Sequence, residues 1–394
     1  MNTFRKTLVI ICCLFSLLVK SANSEMPIIA YYGVPEYQNN DEAFQTFSNC
    51  GFTVSLYAYS SLQSLLKACH LAHQHGIQII GLCPEVFDNP AATAQVLKDT
   101  KGFMGYMIQD EPSVPEMQKL RKNILNIKAT DDSHLFYINL LPYYKQEWFV
   151  PAAKVNTYQE YLDAAVTLPC QQISFDFYPV TSEGIRETWY DNLEQIRKFS
   201  IKTGKPFWGF ALSIPHIVYP QPTIAALRLQ IYSNLAYGAQ AIQYFTYWTL
   251  KPTKEYDFHD GPVSLEGKKN KTYYLVQQMN RELKAIAPLF YGAKVLSVHH
   301  LGGKLPQGTT RQNTMPLNIK SLKVVSSKGA IISQLEKNGH RYLAIVNKNH
   351  EDSIKVVIKP LNSTPRHLTK TLKEEPMNNT YTVSAGDILL FRLK

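Results

Sequence analysis

Gly105-Tyr-Met-Ile-Gln-Asp-Glu-Pro112 is an apolar run that ends in two adjacent carboxylates and stops at a proline. Period-two apolar residues suit a buried strand, and a proline cannot simply continue a ladder because it has no N–H to donate. Asp110 and Glu111 are therefore expected where a strand meets a loop, the junction at which an α/β barrel gathers its reactive groups. A competing reading makes Asp110 or Ser113 the N-cap of a helix that continues through Met117-Gln-Lys-Leu-Arg121.

Working outward, short apolar or aromatic runs alternate with longer amphipathic stretches from Pro27 to about Leu289, the rhythm of repeated β-then-α units and hence of a parallel sheet. Eight such runs are legible, at 28–33, 53–58, 77–82, 104–109, 135–140, 172–178, 207–212 and 241–247. Between them, 62–73 has i, i+3, i+4 apolar spacing with Gly76 behind it as a C-cap, and 158–166, 193–199 and 223–232 precede the last three runs. This predicts a (β/α)8 TIM barrel over residues 25–288. A doubly wound open sheet is the rival, but Gly33-Val-Pro-Glu36 follows the first run where a glycine-rich phosphate fingerprint would stand. Beyond a helix over 273–286 the texture becomes one of short strands, as in 330–335, 341–347 and 381–392, with a polar, turn-rich loop over 302–316. Residues 289–394 are accordingly read as an antiparallel β-sandwich.

Of the chain's 394 residues, 45% are hydrophobic and 18% charged, which excludes a disordered or collagen-like polymer. The first residues carry Arg5 and Lys6, then an apolar run over 8–19, then Ser21-Ala-Asn-Ser24, the order of a secretory signal cleaved after Ser24. The run is short of the roughly 20 residues that span a bilayer, so no membrane insertion is expected after cleavage, and the mature protein is expected to be secreted or periplasmic. Cys12 and Cys13 would leave with the signal; Cys50, Cys69, Cys83 and Cys170 leave room for one or two disulfides and show no zinc-like spacing. The net charge of +10 loses three positive charges with the signal and is spread along the chain, which permits an acidic polysaccharide partner without favouring nucleic acid.

In a barrel the last residues of each run converge on one mouth. They are Tyr31 and Tyr32, Tyr57, Gln109, Asp110 and Glu111, Asn139, Asp176 and Tyr178, Trp208, and Tyr244, Tyr247 and Trp248. Aromatic faces stack on a pyranose while amides and phenols bond its hydroxyls, although aromatics also favour strands for packing alone. A glycosidase needs a carboxylic acid at such a mouth to protonate the leaving oxygen. Asp176 interrupts the run Ile173-Ser-Phe-Asp-Phe-Tyr-Pro179, and an acid there needs a partner or a task, whether catalysis or the ordering of a loop. His70, His73 and His75 lie around an outer helix, His216 reads as a loop hydrogen-bonder, and neither a metal nor any other cofactor is expected.

With 105–113, 173–179 and Leu235-Ala-Tyr-Gly-Ala-Gln-Ala-Ile-Gln-Tyr-Phe-Thr-Tyr-Trp248 in view, the chain resembles secreted, Bacteroidetes-type glycoside-hydrolase-like proteins. These are distantly similar to the family 42 β-galactosidase barrel and its clan. Tyr158-Gln-Glu-Tyr161, Gly267-Lys-Lys269 and Tyr342-Leu-Ala-Ile-Val-Asn-Lys348 extend the likeness over nearly the whole mature chain. The resemblance implies a catalytic barrel acting on carbohydrate, with Glu111 in the place of the acid/base. It also implies a second glutamate at the end of the seventh strand, where this chain reads Phe207-Trp-Gly-Phe-Ala-Leu-Ser213. Asp176 or Asp110 would then supply the second carboxylate. The alternative is a carbohydrate-binding protein on a degenerate barrel, and a third possibility is adhesion through the sandwich.

Overall fold

The computed structural model describes residues 25–393. The expected signal over 1–24, with its two cysteines, lies outside the described residues. Eight parallel strands close a barrel: β1 (Ile28–Tyr31), β2 (Val54–Ala58), β3 (Gln78–Leu82), β4 (Phe103–Asp110), β5 (Leu135–Leu140), β6 (Ile173–Phe175), β7 (Phe207–Leu212) and β8 (Ala241–Phe245). They pair in sequence order around the ring, and β8 returns to β1 with Ile28 opposite Ile242 and Tyr31 opposite Phe245.

Side-chain parity decides what each strand offers to either side. Ile29, Tyr31, Val54, Leu56, Ile80, Tyr137, Trp208, Phe210, Leu212 and Ala241 fill the barrel interior. Their alternates, among them Ile28, Ala30, Phe136, Ile138, Phe207, Ala211, Ile242 and Tyr244, pack outward on the helices. Those helices start where capping chemistry allows: Asn40, Ser61, Thr157 and Thr223 accept from backbone N–H groups of the turns that follow them.

The closing helix Lys271–Phe290 runs through Pro288, so the change of texture falls at 291–293 rather than at 289. Nine strands follow: β9 (Lys294–Leu301), β10 (Ile319–Val325), β11 (Ala330–Lys337), β12 (His340–Asn347), β13 (Ile354–Pro360), β14 (Arg366–Leu368), β15 (Glu374–Pro376), β16 (Thr380–Val383) and β17 (Ile388–Leu393). The single run expected over 381–392 is thus two strands parted by a turn. One sheet has the order β9-β11-β12-β17-β14-β15 and the other β10-β13-β16. They enclose a core that includes Leu322, Ile332, Leu343, Ile345, Val356, Ile358 and Phe391.

The outer face of the larger sheet, with Ile331, Leu335, Ala344, Val346 and Leu390, belongs to the same apolar cluster as the barrel helices. At that seam Arg228 and Lys370 meet Glu282 and Asp387 in a ring of four charges: Arg228 to Glu282 at 2.5 Å, Lys370 to Glu282 at 2.9 Å, Lys370 to Asp387 at 2.8 Å and Arg228 to Asp387 at 3.7 Å. Burial raises the Glu282 pKa, but hydrogen bonds from Arg228 and Lys370 outweigh it and hold the carboxyl at about 2. Cys50, Cys69, Cys83 and Cys170 are each buried and unpaired, so none of the disulfides allowed by the sequence forms among them. No helix among the described residues is long and apolar enough to cross a membrane.

Candidate active site

At the end of β4 the competing reading of Asp-Glu-Pro resolves. Ser113, not Asp110, is the N-cap of helix Val114–Lys128, and its N–H donates to the Glu116 carboxylate at 2.7 Å in a capping box. Asp110 and Glu111 are left without a capping duty. Glu111 sits at φ +45°, a left-handed conformation unfavourable for a side-chain-bearing residue, and its N–H donates to the Asn139 carbonyl at 2.9 Å. That bond holds the reversed backbone against the end of β5.

Three acids meet over this corner. The Asn139 amide nitrogen donates to Asp110 at 3.2 Å and to Asp176 at 2.8 Å. The Tyr31 phenol lies beside Asp110, and Glu111 lies beside Asp176. Carboxyls crowded together resist ionising at once, so one of them tends to keep its proton. Burial, then the charges of Asp176 and Asp110, push the Glu111 pKa well up. Burial and the Asp110 charge raise Asp176 against the hydrogen bond from Asn139, and burial likewise raises Asp110. Glu111, the farthest raised, is the proton carrier of the pair. Asp110 is nevertheless open to solvent and Glu111 and Asp176 partly so. Groups crowded by protein yet reached by water line the floor of a depression.

A polar network within the barrel holds Asn139 in place. The Ser174 hydroxyl donates to Asn139 Oδ1 at 2.9 Å, the Gln243 amide donates to Ser174 at 2.8 Å, and the Tyr137 hydroxyl donates to Gln243 at 2.8 Å. Each member is buried and partnered, the condition under which a polar core orients rather than weakens.

The expected sugar-facing residues divide by strand parity. Tyr32 and Tyr57 are half-exposed with ring centroids 6.4 Å apart, and Tyr178 stands beside the acids. Gln109 is turned toward Glu116 of the helix cap. Trp208 is a correction: it lies inside the barrel, opposite Ser174 and Ala241, four residues before the end of β7 and so about 13 Å below the mouth. Tyr244 and Tyr247 are corrections too, since both are fully buried on the helix side, packed edge-on to Phe52. Trp248 is 4% exposed and sits against Tyr37 and Tyr247, also outside the barrel interior.

Phe245, the alternate of Tyr244, is the mouth residue that β8 contributes; its ring lies 6.2 Å from Tyr31, 6.0 Å from Tyr32 and 5.7 Å from Tyr178. His216 is buried and bonds the Ile214 carbonyl, as a loop histidine does. At the end of β7, Leu212 is buried and the Ser213 hydroxyl donates to the Thr246 carbonyl at 2.7 Å, so that rim carries no acid. Among the described residues no three His, Cys, Asp or Glu side chains are grouped to hold a metal ion.

Residues 138–286 match the sequence profile of glycoside hydrolase family 42, described as β-galactosidase. No curated protein matches the chain in sequence. Among solved structures, a β-galactosidase from Bacillus circulans sp. alkalophilus superposes with a TM-score of 0.63 at 9% identity, covering 94% of this chain and 100% of that one. A family 5 glycoside hydrolase from Bacteroides vulgatus gives 0.57 at 12% identity, covering 94% and 89%. A third structure, described as a glycoside hydrolase, gives 0.54 at 13% identity, covering 90% and 89%. The profile match is confined to 138–286, and the solved structures share with this chain its fold, a closed barrel with antiparallel sheets behind it.

Proposed function

We propose that this chain, a barrel of the glycoside-hydrolase kind, is an exported enzyme that cleaves an O-glycosidic bond in an oligo- or polysaccharide by carboxyl acid/base catalysis. The observation that carries the reading is the Glu111–Asp176 pair, two neighbouring carboxyls at the barrel mouth, both held by Asn139 and both with raised pKa values. Glu111 donates that proton to the leaving oxygen. Asp176 serves as the second carboxylate, and Asp110, held by Asn139 beside Tyr31, keeps the proton on Glu111 by its charge. Tyr32, Tyr57, Tyr178 and Phe245 offer stacking and hydrogen bonding to the sugar.

A retaining pair of carboxyls stands about 5–5.5 Å apart and an inverting pair about 6.5–9.5 Å. Export rests on residues 1–24 and the order of charge and hydrophobicity within them.

The deciding experiment is a reducing-sugar assay of the full chain on neutral and acidic polysaccharides, with Glu111→Gln and Asp176→Asn beside it. Product from the wild type with a loss of about 100-fold or more in each variant is expected. Saturable glycan binding without product would instead make the barrel a binding module.

A further inference from the structure

Beside the acids the barrel carries a second, cationic feature. After β6 a small hairpin, Val180–Thr181 with Gly184–Ile185, delivers Arg186. Its guanidinium lies 4.7 Å from the centre of the Tyr144 ring and 5.4 Å from that of Tyr219, and it bonds the Tyr219 hydroxyl at 3.2 Å. Among the described residues no carboxylate pairs with it, and its Nε is buried without a partner. Tyr144 in turn accepts from the Tyr178 N–H at 3.1 Å and feels the charge of Asp176. Arg186 is thus one aromatic ring away from the acids.

Arg186 lines two adjoining hollows. One, of about 380 Å³, lies toward Tyr144 and Lys145. The other, of about 460 Å³, opens where the barrel meets the sandwich and holds Lys304, Lys328 and Lys348. Lys348 is the unusual member. It is only 5% exposed, its ammonium lies 5.8 Å from the centre of the Tyr190 ring, and among the described residues no carboxylate pairs with it. Burial and the charge of Arg311 depress its pKa to about 8. The acid on its wall, Glu187, is solvent-exposed and already faces Lys304 at 3.5 Å. A buried cation with no counter-ion is expensive unless something supplies one, and Lys348 faces a hollow that can admit it.

We propose that the groove from Tyr144 through Arg186 to Lys348 binds the acidic groups of an anionic glycan, with Lys348 at the sandwich junction as the anchor for a carboxylate or sulfate. This names the substrate class of the proposed hydrolase and rests on that reading only for the ligand being a glycan. Planar Arg186 suits a bidentate anion and compact Lys348 a single oxygen.

The test is calorimetric, on full-length Glu111→Gln protein so that turnover cannot confuse binding. An oligogalacturonate, a sulfated galactan oligosaccharide and a neutral galactan oligosaccharide of equal length are titrated in turn, and the two acidic probes separate carboxylate from sulfate. At least one acidic probe is expected to bind, with affinity falling about tenfold or more on adding Lys348→Met and with raised salt, while Lys348→Arg retains it. The neutral probe should respond to none of these changes. Equal affinity for acidic and neutral probes, or acidic binding unaltered by Lys348→Met, overturns the proposal. So does Lys348→Arg failing as fully as Lys348→Met, which would make the position one of packing. Acidic binding through Lys348 with no cleavage of any glycoside by the wild type would sink the hydrolase and spare this site; cleavage of neutral glycosides without acidic binding would do the reverse.

Discussion

Glu111 is a residue whose behaviour is set by its neighbours. Its raised pKa keeps it protonated as pH rises, so kcat/KM should fall on the alkaline side as Glu111 finally ionises, and on the acidic side as Asp176, raised to about 7, takes up a proton. Replacing Asp176 by Asn removes the largest charge acting against that ionisation, and the alkaline limb should move to lower pH in whatever activity survives; a limb that stays in place would break the assigned coupling. The same charges act on stability. Asp176 has a folded pKa above its unfolded one, so the fold is relatively favoured below the unfolded value near 4 and loses that advantage as pH rises toward the raised value. Asp176→Asn should therefore melt higher than wild type at neutral pH, with the gain vanishing at about pH 4. The two carboxylates of Asp-Glu-Pro and the lone acid of the 173–179 run were legible as candidates from the sequence. Their coming together was not, because it depends on the left-handed turn at Glu111 and on the side chain of Asn139.

Single elements make the same point through parity. The eight strands were readable because each is a short apolar run with a turn signal behind it, and the observed ends differ from the expected ones by a few residues. Which side each residue faces needed the register. In β8, Ala241, Gln243 and Phe245 look inward, which turns Tyr244 to the helices and away from the mouth that its place in the run suggests. The Tyr244 hydroxyl is buried without a partner, so Tyr244→Phe should leave stability unchanged or raise it slightly and leave glycan affinity alone. Phe245→Ala should weaken binding of whichever glycan proves to be the ligand, measured by the same titration. At the N-terminus of helix Val114–Lys128, Ser113→Ala removes the cap and should lower stability by about 1 kcal/mol in denaturant unfolding. An unchanged midpoint would show that the turn is held by Pro112 and packing instead.

Across the whole molecule, barrel and sandwich share one apolar cluster and the four-charge ring at their seam. Glu282→Ala leaves Arg228 and Lys370 facing each other with a single carboxylate between them, and a loss of about 3 kcal/mol is expected from chemical denaturation. Because hydrogen bonds hold Glu282 low, its contribution is fully present above the unfolded value of 4.5 and fades as pH falls toward about 2. Residues 294–393 expressed alone would expose the Ile331, Ala344 and Val346 face to water and should aggregate, a result light scattering would register. The sequence announced a second domain through its change of texture, but the docking surface is spread over strands far apart in the chain and carries no local signature.

The barrel mouth has two unlike walls. Its acids hang from β4 and β6, while Tyr31, Tyr32, Tyr57 and Phe245 come from β1, β2 and β8 across the ring. With nothing ionisable at the tip of β7, the negative field is lopsided, strong on one flank and nearly absent on the other. A pyranose is lopsided too, with a greasy C–H face and a hydroxyl-studded edge, so only one way of standing in the opening satisfies both flanks. The site would thus sort epimers by which rim they present before any proton moves.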